Sequence, residues 1–199
     1  PLIASSIMSK KIAGGSDRII LDVKVGSGAF MKDMNQAIEL SKVMVDIGQN
    51  IGKPTKALIT SMNQPLGIAV GNSLEVIECI ETLKGNGPND LTKLSLEIAA
   101  NMLEISGLGE IDFCRMRVRE ILKDKRAIDK FAQMIDIQGG DSRIVEDYTL
   151  LDQAEFKQNI VCDFSGYIEK IETDNIGKAC LMLGAGREKK EDIIDYGAG

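Results

Sequence analysis

Two groups of residues have the types and spacing to do chemistry. Ser6 and Lys10 stand four apart, in phase with Ile3 and Ile7. Positions i, i+3, i+4 and i+7 share one face of a helix, so a hydroxyl and an ammonium would interrupt an apolar stripe. Such a pair invites a nucleophilic mechanism; the competing reading is a helix edge whose Lys10 carries its charge out to water. The Ser-x-x-Lys spacing of penicillin-recognising enzymes is not formed, because that pattern separates the two by three positions. The second group is Asp22-Val23-Lys24-Val25-Gly26-Ser27-Gly28-Ala29-Phe30-Met31-Lys32, an apolar run that opens into a glycine-softened loop. Successive backbone amides there could cradle an anion. A dinucleotide fingerprint would need a glycine where Met31 stands, and the Gly-Lys-Ser/Thr of a Walker loop is absent. A turn that lets the backbone pass close to a neighbour is what these residues support by themselves.

The elements that must hold these groups follow from periodicity and punctuation. Leu2 to about Ala13 reads as a helix closed by Gly14-Gly15. Arg18 to Val25 reads as a strand, apolar enough to be covered on both faces. Asp33 with Gln36 has the pattern of a capping box, opening a helix to about Ile47 with Ala37, Leu40, Ser41, Met44 and Ile47 as its buried stripe. A second strand lies around Ala57 to Thr60, and a long connection through Asn63-Gln64-Pro65-Leu66-Gly67 leads to a helix that Asn72 and Glu75 should cap. Strand, helix, strand, helix predicts βαβ units and a parallel sheet. Helices are then expected at Leu91 to Ile105, Asp112 to Lys123, Ala127 to Ile135 and Asn175 to Leu183, with short strands at Ile160-Val161-Cys162 and Gly166-Tyr167-Ile168.

Composition narrows the function classes. The 199 residues suffice for one domain, or one large domain and part of another, with a sizeable core. Aromatic residues make up only 4%, so aliphatic side chains must fill that core. A net charge of −6 leaves no basic stripe to neutralise phosphates, which argues against a nucleic-acid partner. No apolar run approaches the roughly 20 residues that span a bilayer, so no membrane partner is expected. Cys79, Cys114, Cys162 and Cys180 form no Cys-x-x-Cys pair and the chain has no histidine, which argues against a zinc site and rules out a serine triad built within the chain. Scattered cysteines in a domain of this size read as reduced thiols of a cytoplasmic protein. A start at Pro1 and a stop after Gly197-Ala198-Gly199 are expected of a segment of something longer.

The stretch Pro1-Leu2-Ile3-Ala4-Ser5-Ser6-Ile7-Met8-Ser9-Lys10-Lys11, followed by Asp22 to Met31, resembles the pyrimidine-nucleoside phosphorylase and thymidine phosphorylase family. Met62-Asn63-Gln64-Pro65-Leu66-Gly67, Gly71-Asn72, Leu74-Glu75-Val76 and Leu183-Gly184-Ala185-Gly186-Arg187 extend the likeness in order along the chain. The resemblance implies a pentosyltransferase that converts a pyrimidine nucleoside and phosphate into free base and pentose 1-phosphate, with no organic cofactor. It implies an α/β fold, a largely parallel sheet flanked by helices, preceded by one helix of a small all-helical domain. Residues 1–15 would be the last helix of that helical, dimerising domain, and residues 16–199 a partial α/β domain of a homodimer. Ser6 and Lys10 match the family's base-binding serine and lysine, Lys10 also being the catalytic cation. Ile3 and Phe30 match positions lining the pyrimidine pocket. A potassium site would take Leu66 and Ala69 through their carbonyls and Glu78 through its carboxylate, a donor set suited to a hard monovalent cation; read without the family, Glu78 is a solvated helix residue.

The family's glycine- and serine-rich phosphate loop, its base-binding arginine, its proposed acid histidine and the end of its large domain have no counterpart in these residues. The expectation is that this chain alone does not catalyse phosphorolysis. Two rivals remain. One is a relative of the anthranilate-type phosphoribosyltransferases, whose diphosphate and metal motifs are not evident. The other is a non-catalytic interaction domain that keeps the fold.

Overall fold

The computed structural model describes residues 2–199. In chain order the elements are α1 (Leu2–Ala13), β1 (Ile19–Val25), α2 (Met34–Asn50), β2 (Thr55–Ser61), α3 (Asn72–Lys84), α4 (Asn89–Ile105), α5 (Ile111–Lys123) and α6 (Arg126–Ile137). Two short 3-10 turns, Ser142–Val145 and Tyr148–Leu150, precede α7 (Thr173–Cys180), which runs into a single wide turn at Leu181–Ala185. The expected α/β class is what the chain adopts, with one parallel sheet of two strands among the described residues. The chain divides into two compact units, residues 2–64 with Lys93–Glu120, and Pro65–Thr92 with Ile121–Gly199.

The first unit is a βαβ arrangement. β1 and β2 pair in parallel from Ile19↔Thr55 to Val25↔Ser61, and α2 makes the crossover that parallel pairing requires. The predicted cap forms: Asp33 Oδ1 accepts the Gln36 amide at 3.0 Å. Ile19, Leu21 and Val23 of β1 share a core with Ala37 and Met44 of α2 and with Ala4 and Met8 of α1. The buried Ser41 hydroxyl donates to the Ala37 carbonyl at 2.7 Å, so no donor is stranded there. α1 therefore shares its core with β1 and α2.

The expectation that β1 is covered on both faces is corrected. Its burial alternates, because Asp22 and Lys24 occupy the second face. They satisfy one another there: Lys24 Nζ lies 2.7 Å from Asp22 Oδ2 and donates to Thr60 Oγ1 at 3.0 Å, while Thr60 Oγ1 donates to Asp22 Oδ1 at 2.5 Å. The parts of α4 and α5 in this unit bury Ala100, Cys114 and Val118 together. Arg115 forks onto Glu97 with bonds of 2.9 and 2.7 Å, and that hydrogen bonding holds the Glu97 carboxyl below its usual range. Lys56 of β2 pairs with Glu104 of α4.

In the second unit Ile80 of α3, Ile128 of α6 and Val145 form the core. The Tyr148 hydroxyl donates to Glu81, and Lys84 Nζ lies 3.3 Å from that oxygen and 5.2 Å from the ring centroid. The Tyr148 hydroxyl is the first cause, and the Asn86 amide the second, of a Glu81 carboxyl held below its ordinary range. Two expectations fail in this unit. Asn72 does not cap α3. Its side-chain amide donates to the Ala185 carbonyl at 2.9 Å, Gly71 is the N-cap, and Glu75 Oε1 accepts the Gly71 amide at 3.1 Å. The strands expected at 160–162 and 166–168 do not form either. Among the described residues, 152–171 make no backbone hydrogen bond, and Ile160 is 97% exposed. A β-branched run becomes a strand only where a neighbour supplies donors and acceptors.

Candidate functional site

The carboxyl ends of β1 and β2 carry the site-bearing loop, which is where parallel sheets place ligands. After Val25 the chain folds back on itself: the Gly26 amide donates to the Met31 carbonyl at 3.0 Å, and the Ala29 amide to the Gly26 carbonyl at 3.1 Å. Lys32 Nζ reaches the Ser27 carbonyl at 2.6 Å. The adjoining strand end adds more bonds. The Met62 amide donates to Val25 at 2.7 Å, the Gly28 amide to Met62 at 2.9 Å, and the Ser27 amide to Asn63 Oδ1 at 3.0 Å. Gly26 sits at φ 130°, and a Cβ there would overlap Asn63 Oδ1, so both the backbone angle and the space demand glycine. The turn that brings backbone close to a neighbour is thus present, and the neighbour is Asn63.

On α1 the spacing of Ile3, Ser6, Ile7 and Lys10 holds, but the buried positions are Ala4 and Met8, with Ile7 partly buried. The face bearing Ser6 and Lys10 is exposed. Ala4 and Met8 are the α1 side chains buried in the core shared with β1 and α2, and Ser6 and Lys10 lie off that buried line. Ser9 Oγ donates to the Ser6 carbonyl at 3.2 Å. Among the described residues the Lys10 ammonium has no ion pair or hydrogen-bond partner.

Ile3 lines a depression of about 290 Å³ together with Met31, Leu40, Val43 and Glu39. That is space for one small ring system. The structure therefore brings Ile3 to the loop at Met31. Phe30 is not in that lining and stands 78% exposed beside it, and Ser6 and Lys10 are not in it either. Met31 and Asn63 are the residues sequence reasoning did not single out. Met31 has a signal in hindsight, since it bridges back to Val25 and so belongs to the end of the sheet.

Of the residues matched to a potassium site, Ala69 and Glu78 meet in the second unit. Glu78 is buried, against the solvated-helix reading. Its Oε1 accepts the amides of Ile68 at 2.8 Å and Ala69 at 3.0 Å. Gly67 has φ 75°, and a Cβ there would overlap Glu78 Oε2. The Gly67 amide donates to Asp90 Oδ2 at 3.1 Å, the main cause of an Asp90 carboxyl held below its usual range. Because a trans peptide sets N–H and C=O antiparallel, the Leu66 carbonyl faces away from Asp90. Among the described residues no group of three or more His, Cys, Asp or Glu converges as a metal cage.

Comparison with known sequences follows this geometry. The a/b domain of a glycosyl transferase family matches residues 1–128, and the pyrimidine nucleoside phosphorylase C-terminal domain matches residues 167–199. The chain belongs to the pyrimidine-nucleoside phosphorylase family. It is 49% identical over 200 aligned residues to the pyrimidine-nucleoside phosphorylase of Bacillus subtilis (strain 168), 48% to that of Staphylococcus epidermidis (strain ATCC 12228 / FDA PCI 1200) and 46% to that of Geobacillus stearothermophilus. Each alignment takes in 100% of this chain and 46% of the relative. The chain thus spans just under half the length of these relatives.

Proposed function

We propose that the protein carrying this chain is a pyrimidine-nucleoside phosphorylase, taking phosphate as co-substrate and releasing free base and pentose 1-phosphate. What carries the reading is the likeness, over the whole chain, to relatives of that name. As the glycosidic bond breaks, the pentose becomes cation-like and negative charge moves onto the departing base. The Lys10 ammonium is exposed and unpartnered among the described residues, so it is available to stabilise that charge at a base carbonyl. The Ser6 hydroxyl would orient the ring by a hydrogen bond. Ile3 and Phe30 would flank it and exclude water, which strengthens both polar contacts. Leu66 and Ala69 through carbonyls and Glu78 through its carboxylate would hold a potassium ion, whose positive charge would steady the loop at 66–69.

In this reading residues 1–15 are the last helix of a helical, dimerising domain, residues 16–199 a partial α/β domain, and the working form a cytoplasmic homodimer. The test is Lys10→Met in the intact protein that carries this chain. The substitution keeps the stem and deletes the charge. Phosphate-dependent release of uracil from uridine should fall by roughly a hundredfold or more with the melting temperature unchanged. Turnover within a few-fold of the parent would make Lys10 a surface residue and remove the mechanism.

A further inference from the structure

We infer that Asn63 is a positioning residue for the loop that presents Phe30, acting through its side-chain carbonyl on the Ser27 amide. The inference rests on the nucleoside reading above. The ladder between β1 and β2 ends at Val25↔Ser61. One further residue, Met62, continues it through its own backbone, donating to Val25 and accepting from Gly28. At Asn63 the side chain takes over as a substitute carbonyl, with Oδ1 3.0 Å from the Ser27 nitrogen. The Ser27 hydroxyl lies 3.5 Å from the Asn63 carbonyl, at the limit of hydrogen bonding. The Gly26 position is open on its Asn63 side only because no Cβ is there, so glycine and carboxamide are shaped to one another.

Phe30 is four residues beyond Gly26 and one beyond the buried Ala29. Among the described residues its ring belongs to no core cluster, and its position depends on how the backbone from Gly26 to Ala29 is tied. Among the described residues five bonds do that tying, and Asn63 Oδ1 makes the one that comes from a side chain of the neighbouring strand end. A ring that must lie flat against a heterocycle loses affinity when its loop samples other positions. Asn63 touches no reacting atom in this account, so it should govern affinity for the nucleoside more than the chemical step.

The experiment compares Asn63→Ala and Asn63→Asp in the intact protein, with uridine and inorganic phosphate as substrates. Asp keeps the acceptor and Ala deletes it. Asn63→Ala should raise KM for uridine about fivefold or more and leave kcat within about twofold, whereas Asn63→Asp should match the parent. Amide hydrogen exchange at Ser27 should quicken in Asn63→Ala and not in Asn63→Asp. Should Asn63→Ala fail to fold, Asn63→Gln carries the same test, because it moves the carboxamide out by one methylene. An unchanged KM in Asn63→Ala, or equal damage from Asn63→Asp, overturns the inference. Lys10→Met and Phe30→Ala are measured beside them. If neither of those alters phosphorolysis, the nucleoside reading has failed, and Ser27 exchange still decides whether Asn63 ties the loop.

Discussion

Residues 26–30 and residues 152–171 both lack helix and ladder, and hydrogen bonding separates them. In the first, Gly26, Ser27, Gly28 and Ala29 all donate their amides to named acceptors, and Ala29 is buried. In the second, backbone groups bond to nothing among the described residues, while Ile160, Val161, Phe164, Tyr167 and Ile168 are exposed. Its runs Ile160-Val161 and Tyr167-Ile168 are built of the same β-branched and aromatic types that form strands. The difference is that β1 and its loop have β2 and its extension alongside, at a register the α2 crossover sets. An irregular stretch can be as firmly placed as a strand when its amides have acceptors, and an apolar stretch stays open when they do not.

That contrast can be broken or sharpened by experiment. The largest expected effect lies beneath the tied loop. Met44→Ala empties the space of a fully buried side chain packed against β1, and should cost about 2–4 kcal/mol of stability in a denaturant melt. A loss under 1 kcal/mol would mean the core of the first unit is looser than described. Next is limited trypsin digestion, read by mass. Cleavage after Lys157 and Lys170 should precede cleavage after Lys32 by a clear margin, because only Lys32 lies beside hydrogen-bonded backbone. Early cutting at Lys32 would place the two stretches in one class. The smallest effect belongs to Ile160→Ser, which should move stability by less than about 0.5 kcal/mol, since that side chain buries almost nothing. A larger loss would show that the segment has a partner in solution.

How much was legible depended on the reach of each interaction. Asp33 capping through Gln36 was readable because both groups lie within one turn. The Asn72 cap was readable too, and wrong, because the Ala185 carbonyl competes for that side chain from 113 residues away. The Gly26-Ser27-Gly28 turn was evident, but nothing local named Asn63, 36 residues on, as what it turns around. On α1 the spacing of Ser6 and Lys10 was certain and their outward direction was not, since Ala4 and Met8 make an equally regular face. Glu78 looked like any helical glutamate until the amides of Ile68 and Ala69 were found on it.

By itself the sequence settled the βαβ order, the helix-bearing character of the chain and the family. These depend on local propensity, on hydrophobic period and on motifs contiguous in the chain. Tertiary structure alone decided which face of α1 is buried, which strand-like runs find a partner, and which side chain closes the loop before Phe30. Each of those is a competition between groups far apart in the chain, and its outcome is set by which of them folding brings within hydrogen-bonding or packing distance.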